Sequence, residues 1–306
     1  MAVWATPLCA QRFQVADLLK IVVVSDPQFA PDGKSIVIVV ARPNIGEDRY
    51  DTGLVSVDVA SGEQREVTAA DMSGASSPRW AAGGALAFLA NDGRKAGAKK
   101  QVFVLPRAGG GARRLTDAPR GVQQFAWSPD GSTIAFVTSD EPEEKPNDER
   151  HNLSFELGND SYLLTSAALS LHVWLVPAEG GPARRLTSGQ WSMPVAQPPG
   201  PPPPPLAWSP DGKSVAINHL ISPHTGDSDM GWIELVDIAS GAARKITSNT
   251  FLESQPQFSP DGRHVAYAFP RDGARVNFSD AWVAPAGGGE GTDLTSSLDI
   301  NIARAV

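Results

Sequence analysis

Few side chains in this sequence stand at spacings that could carry out a reaction. A serine nucleophile of the α/β-hydrolase kind sits on a strand-to-helix elbow written G-x-S-x-G, and the sequence contains no such stretch. The nearest approach is Gly226-Asp227-Ser228-Asp229-Met230-Gly231, which echoes the Gly-Asp-Ser of another hydrolase class but reads as a polar hairpin loop between two apolar runs. Ser228 is the serine to examine should hydrolysis be found. The histidines His151, His172, His219, His224 and His264 lack metal-ligand spacing, and His219 and His224 fall around Pro223 in what reads as a loop. Cys9 is the single cysteine, so neither an intrachain disulfide nor a thiolate cluster can form. The adjacent carboxylates Glu143 and Glu144 could grip a substrate amine, yet their neighbours are charged residues and prolines without aromatics, as in a solvated loop. Trp80, Trp127, Trp174, Trp208, Trp232 and Trp282 recur at strand-like positions, where packing between neighbouring sheets is their expected role and a ligand box the lesser one. The sequence offers no catalytic residue, no metal site and no cofactor site.

What must position any such residue is a repeat. Ala30-Pro31-Asp32-Gly33, Ser128-Pro129-Asp130-Gly131, Ser209-Pro210-Asp211-Gly212 and Ser259-Pro260-Asp261-Gly262 each lie between two apolar runs. A second phrase closes each unit, at Val67-Thr68, Leu115-Thr116, Leu186-Thr187, Ile246-Thr247 and Leu294-Thr295. Periods of about 40 to 50 residues built of short strands are the signature of a propeller, whose blades bury their faces only against neighbours.

In the best-formed unit, Gln124-Phe125-Ala126-Trp127, the turn phrase and Thr133-Ile134-Ala135-Phe136-Val137 make a hairpin; His172 to Pro177 and Ala183 to Thr187 add two more strands. Proline presets φ at the first corner, aspartate bonds the local backbone, and glycine accepts the positive φ that follows. Asp32, Gly33, Asp130, Gly131, Asp211, Gly212, Asp261 and Gly262 are therefore read as structural turn residues. Unit two keeps only the glycine, in Ala81-Ala82-Gly83-Gly84. The fold class expected is an all-β propeller of four-stranded blades, with blades at 27–68, 77–116, 123–187, 195–247 and 255–295 and the start of a further one at 299–306. Both an incomplete ring and a closed five-blade ring fit this pattern.

The remaining segments interrupt the pattern. Residues 1–11 resemble the cleavage end of a secretory signal, which predicts a periplasmic or secreted protein, with a cytoplasmic one as the alternative. Residues 12–26 read as a short capping helix and lead-in, spaced as a helix from Val15 to Ile21. An insertion at 140–166, rich in Glu, Asp, Pro and Asn, predicts a solvent loop. The run from Pro198 to Pro205 predicts an extended polyproline connector. Net charge is -8 and the basic pairs lie within strands, which disfavours a nucleic-acid partner. No stretch is apolar for long enough to span a membrane as a helix.

The entry Asp26-Pro27-Gln28-Phe29-Ala30-Pro31-Asp32-Gly33, the run from His172 to Gly181 followed by Arg184-Arg185-Leu186-Thr187, and the proline-rich approach to Trp208-Ser209-Pro210-Asp211-Gly212 resemble the N-terminal propeller of the prolyl oligopeptidase family of serine peptidases. The acylaminoacyl-peptidase and dipeptidyl-peptidase branches are the most similar. The turn phrase alone is shared with the Tol-system periplasmic propeller. The resemblance implies a propeller that sits over an α/β-hydrolase domain and restricts access to short peptides, with the catalytic triad in that other domain. Paired propeller glutamates grip a substrate amine in dipeptidyl peptidases, the role that Glu143 and Glu144 would take. The expected function is a substrate-gating propeller without activity of its own, in a fragment, a truncated product or a free-standing domain. The alternative is a scaffold that binds a protein partner on its face or in its channel.

Overall fold

The computed structural model describes residues 12–69, 71–91, 93, 97–146, 148–160, 164–194 and 206–302. The leader-like residues 1–11, the polyproline run at 198–205 and the last four residues of the expected further unit lie outside the described residues.

Five four-stranded antiparallel sheets follow one another, each with its strands paired in chain order. The first holds β1 (Val23–Phe29), β2 (Ser35–Asn44), β3 (Arg49–Asp58) and β4 (Gln64–Glu66). The second holds β5 (Ser73–Trp80), β6 (Leu86–Asn91), β7 (Lys100–Leu105) and β8 (Arg113–Arg114). The third holds β9 (Gln124–Trp127), β10 (Thr133–Ser139), β11 (Leu171–Pro177) and β12 (Arg184–Arg185). The fourth holds β13 (Ala207–Trp208), β14 (Ser214–Leu220), β15 (Gly231–Asp237) and β16 (Ala243–Lys245). The fifth holds β17 (Ser254–Phe258), β18 (His264–Pro270), β19 (Ser279–Pro285) and β20 (Thr292–Asp293). First strands touch first strands from sheet to sheet, so the sheets converge as the blades of a propeller.

The second strands read as continuous apolar runs because both of their faces are buried. Ile134 and Phe136 pack toward the second blade, while Ala135 and Val137 pack toward the fourth. Each junction has its own core cluster: blades one and two, two and three, three and four, four and five. Three junctions add an indole latch, in which Trp80, Trp127 and Trp208 donate Nε1–H to the carbonyls of Gln28, Arg79 and Ala126 in the preceding blade at 3.3, 3.0 and 3.3 Å. Three add an arginine staple to the following blade: Arg113 to the Ala178 carbonyl, Arg184 to that of Ile238, and Arg244 to that of Ala286.

Both repeated phrases have local causes. In the turn, Ser128 Oγ donates to Asp130 at 2.6 Å and accepts from the Thr133 N–H at 3.0 Å, while Gly131 takes φ 71°. The same bonds recur at Ser209 with Asp211 and at Ser259 with Asp261. In the closing phrase, the threonine hydroxyl accepts a third-strand N–H after the outer strand has ended: Thr68 from Leu54, Thr116 from Val102, Thr187 from Val173 and Thr295 from Ala281. Outer strands are short and charged, which blunts their open edges.

The boundaries differ from the expected ones in places. The first strands of blades one and two start at Val23 and Ser73, ahead of 27 and 77, because each continues past a bulge. Asp26 and Ser77, both before a proline, sit there at φ 47° and 53° and disguise the strand as a break. The lead-in contains a 3-10 helix, Val15–Lys20, that packs on β2. Within 299–302 there is no strand, but the Ile302 N–H donates to the Ser279 carbonyl at 2.8 Å. Val122 and Met193 make the equivalent bonds to Lys100 and Leu171.

Candidate functional site

The turn phrases close one end of every blade; the loops between second and third strands, and the crossings to the next blade, lie at the other. At that second end, the second residue of the third strand forms a repeated pair with the closing threonine. The Thr116 hydroxyl donates to Gln101 Oε1 at 2.8 Å, Thr187 meets His172 Nδ1 at 3.2 Å, and Thr295 donates to Asp280 Oδ1 at 3.1 Å. Blade four departs from this pattern. Its corresponding residue is Trp232, and the buried carboxylate of Glu253 instead takes the Ile233 N–H at 2.9 Å and the Thr247 hydroxyl.

The departure creates an aromatic ledge across blades three and four. Trp191, on the crossing after β12, stacks on His219 with ring centres 4.3 Å apart and planes at 15°. His219 stacks in turn on Trp232 at 4.6 Å and 16°, and Lys245 Nζ lies 3.4 Å over the Trp232 ring. His172 meets the Trp191 ring edge-on at 4.8 Å. The Ser192↔Leu220 bridge ties the crossing to β14 and holds Trp191 over the neighbouring blade.

Carboxylates flank the stack. Glu234 accepts from His219 Nδ1 at 3.0 Å and from Trp232 Nε1 at 2.9 Å. Burial pushes its pKa up, but those two bonds outweigh burial and hold the carboxyl below the ordinary glutamate value. Asp140 accepts from Arg185 at 2.9 Å and lies 3.6 Å from His172 Nε2. His172 is fully buried, and burial lowers its pKa, with Asp140 opposing in part. The Gly189 carbonyl, 3.1 Å from Nε2, can only accept, so the neutral ring carries its proton there and accepts from Thr187 at Nδ1.

The insertion at 140–166 is exposed over most of its described length, as a solvated loop should be, and differs from one at a single seat. Asp160 accepts from His224 Nδ1 at 2.8 Å and from the Thr225 N–H at 2.9 Å, and Asn159 Nδ2 donates to Asp227 at 2.6 Å. Burial works against ionisation of Asp160, yet the bonds from Thr225 and His224 keep its pKa below the ordinary value. Glycines permit the approach: a Cβ on Gly158 would fall 2.1 Å from the His224 ring, and one on Gly226 2.4 Å from the Asn159 carbonyl. The insertion is thus a strap from blade three to the 221–230 loop of blade four.

Glu143 and Glu144 lie on the exposed part of this strap, and no hydrogen bond or ion pair engages them among the described residues. Ser228 is exposed in the 221–230 loop at φ −59° and ψ −21°, and its N–H bonds to Thr225 at 3.4 Å; no elbow or histidine base accompanies it. Ser222 donates to Asp227 at 2.5 Å, not to His224. His219 corrects an expectation: it belongs to β14 and not to the loop around Pro223, because its ring is needed between the two indoles. Among the tryptophans, Trp80, Trp127 and Trp208 do pack between blades, whereas Trp232 belongs to the ledge. The eight turn residues sit in the turns at the opposite end. Among the described residues no group of three or more His, Cys, Asp and Glu side chains could hold a metal ion.

Sequence reasoning missed Trp191, Asp140, Glu234 and Asp160. The available signal was the register: counting back 15 residues from the closing threonines gives Gln101, His172 and Asp280, and in blade four the tryptophan that breaks the series. Clefts of about 410 to 470 Å³ open elsewhere, two of them at equivalent places between neighbouring blades beside Trp80 and Phe258. The recurrence of these two marks them as gaps between the repeated turns, and the third lies at the loop end of blade one, lined by Asn44, Asp51 and Thr68.

Comparison with known proteins gives the fold a context. No protein-family profile matches the chain. It is 30% identical over 253 residues to the uncharacterized peptidase YuxL of Bacillus subtilis, covering 82% of this chain and 30% of that protein. It is 25% identical over 305 residues to dipeptidyl-peptidase 5 of Porphyromonas gingivalis, covering 91% of this chain and 42% of that protein. Its fold matches an acylaminoacyl peptidase in complex with Z-Gly-Gly-Phe-chloromethyl ketone with a TM-score of 0.65 at 15% identity, over 94% of this chain and 42% of that one. Its fold is a propeller similar to that of prolyl oligopeptidase-family peptidases. The propeller domain of the Trilobed protease from Pyrococcus furiosus matches with a TM-score of 0.59 at 13% identity, over 94% of this chain and 74% of that one. At these identities the solved structures speak for the fold alone. The chain thus spans less than half the length of either curated relative. Among its described residues no helix is long and apolar enough to cross a membrane.

Proposed function

We propose that this chain is the substrate-admitting propeller of a prolyl oligopeptidase-family peptidase, that it hydrolyses nothing by itself, and that peptides meet it on the ledge between blades three and four. The observation that carries this reading is the 30% identity to a peptidase over 82% of this chain, which spans only 30% of that protein. The ledge supplies the matching chemistry. The half-exposed indole of Trp191 offers apolar surface to a peptide side chain, while Trp232, sandwiched between His219 and Lys245, supports the stack; Asp140 and Glu234 place negative charge near a peptide amine.

Two assays on the purified chain test this. Chromogenic short peptides should remain uncleaved, and a fluorophosphonate should label no serine. Tryptophan emission should change on titration with the same peptides, and Trp191→Ala should abolish that change while leaving the melting temperature within a few degrees. Turnover that stops as one serine is labelled would overturn the non-catalytic reading, with Ser228 the first to examine. Emission that no peptide alters would remove the ledge from the proposal.

A further inference from the structure

Two indoles in blades three and four already hold a cation beside a carboxylate. Arg185 Cζ lies 5.9 Å from the centre of the Trp174 ring, and Arg185 donates to Asp140 Oδ2 at 2.9 Å. Lys245 Nζ lies 3.4 Å over Trp232, whose Nε1–H donates to Glu234, and Lys245 stands opposite Glu234 across the ladder of β15 and β16. The half-exposed Trp191 lies between these two sets. Its ring meets His172, which is 3.6 Å from Asp140, and stacks on His219, which is bonded to Glu234 at 3.0 Å. Trp191 thus has the carboxylates of both sets within one ring of it, and among the described residues no cation lies over it.

The two carboxylates are not equally available. Both oxygens of Glu234 are engaged, by His219 and by Trp232, and its side chain is 12% exposed, so it contributes charge alone. The Asp140 side chain is 27% exposed, and its Oδ1 takes no bond among the described residues while Oδ2 holds Arg185.

We propose that the ledge selects peptides by a side-chain cation, and that arginine is the residue it takes: the guanidinium lies against the Trp191 indole and donates N–H to Asp140 Oδ1. A planar guanidinium suits this place better than an ammonium, because it is weakly hydrated and stacks on a ring while its donors point outward in its own plane. Arg185 offsets part of the Asp140 charge, so the indole and the carboxylate are both required. Asp140 is then the specificity-determining residue, and what it reads is a side chain and not the terminal amine of the peptide. This inference rests on the reading that peptides meet the ledge, and adds which peptides do so.

Calorimetric titration of the chain with acetyl-Gly-Gly-Arg-Gly-Gly-amide, and with the same peptide carrying citrulline in place of arginine, tests it; the caps remove both terminal charges. The arginine peptide should bind about tenfold more tightly, the worth of one exposed cation–ring contact and one exposed ion pair together. Asp140→Asn and Trp191→Ala should each bring it down to the level of the citrulline peptide. The comparison of the two peptides uses the unaltered chain and stands whether or not a variant folds. Equal affinities, both weakened by Trp191→Ala, would overturn the inference and leave the peptide reading in place. Binding confined to the uncapped forms of these peptides would also overturn it, since the terminal amine would then be the recognised group. An arginine preference that survives both substitutions would place the cation elsewhere and sink the assignment to Asp140 and Trp191. Heat from neither peptide, capped or uncapped, would remove the inference and the peptide reading together.

Discussion

The two ends of the blades obey different rules. At the turn end, all five hairpins close with the same backbone bond: Gly33 to Ala30, Gly84 to Ala81, Gly131 to Ser128, Gly212 to Ser209 and Gly262 to Ser259, at 2.8 to 2.9 Å. At the loop end the connections vary: blades one, four and five carry 3-10 turns at Ile45–Glu47, Thr225–Asp227 and Arg271–Gly273 in loops of unlike length and sequence, and blade three carries the strap across 140–166. The second residues of the third strands vary as well, from Gln101 to His172, Trp232 and Asp280. A hairpin joining adjacent strands has few solutions, so every blade repeats one; a longer connection has many, and there the blades can diverge. Individual chemistry accordingly collects at the loop end, and shared stability at the turn end and the blade junctions.

The strongest way to break that contrast is to remove a shared element. Trp127→Ala deletes an indole packed against the cluster between blades two and three and its bond to Arg79, and should cost about 3 kcal/mol in denaturant unfolding. Trp191→Ala, at the loop end, should cost clearly less, because Trp191 lies on a crossing and not in a strand ladder. Equal losses would erase the distinction. Gly212→Ala comes next, at roughly 1–2 kcal/mol, and isolates backbone strain. At φ 69°, a Cβ there would meet nothing nearer than Pro129 Cδ at 3.8 Å, so any loss in unfolding free energy reflects conformation and not a clash.

A smaller effect sharpens the comparison from the loop side. Asp160→Ala removes the strap's seat on His224 and Thr225 and should lower stability by about 1 kcal/mol. Limited proteolysis should then cut within 141–157 many times faster, while the blades remain intact. A cleavage rate equal to wild type would mean that the strap is held elsewhere.

How much of this was legible depended on periodicity. The turn phrases and closing threonines announced the blades, because each performs one backbone task that every blade needs. The inter-blade use of Trp80, Trp127 and Trp208 followed from the same register. The starts of blades one and two were hidden by Asp26-Pro27 and Ser77-Pro78, where a bulge with positive φ imitates the end of a strand. The ledge was hidden for a different reason. His219 and Trp191 are separated along the chain by a whole crossing, and nothing local in either stretch signals that their rings stack. Asp160 likewise sits in a stretch whose composition suggests only solvent, and its seat on His224 is a tertiary fact.

Acid should separate the two ends in order of pH. His172 is buried and neutral, and its pKa in the folded state lies below the ordinary value of 6.5. The unfolded chain therefore takes up that proton first, and the loop end loses stability as the pH falls below about 6.5. The charges facing the ring, Asp140 and Arg185, oppose each other and leave burial as the deciding cause. The turn end responds later. Bonds from the Ser128 hydroxyl and the Ser132 N–H and hydroxyl lower Asp130 to about 2, against an ordinary 3.8, and Asp211 and Asp261 are lowered by their own serines. The contribution of Asp130 is complete above its ordinary value of 3.8 and fades as the pH falls through about 2, and those of Asp211 and Asp261 are likewise lost on the acid side of their ordinary value. Tryptophan emission from the ledge should therefore change at a higher pH than the far-ultraviolet circular dichroism of the blades. Ser128→Ala should raise the titration midpoint of Asp130 in carboxyl-resolved NMR and leave the first step unmoved. A single transition common to both signals would mean that the ends are not independent, and that the loop end is as much a part of the repeat as the turns.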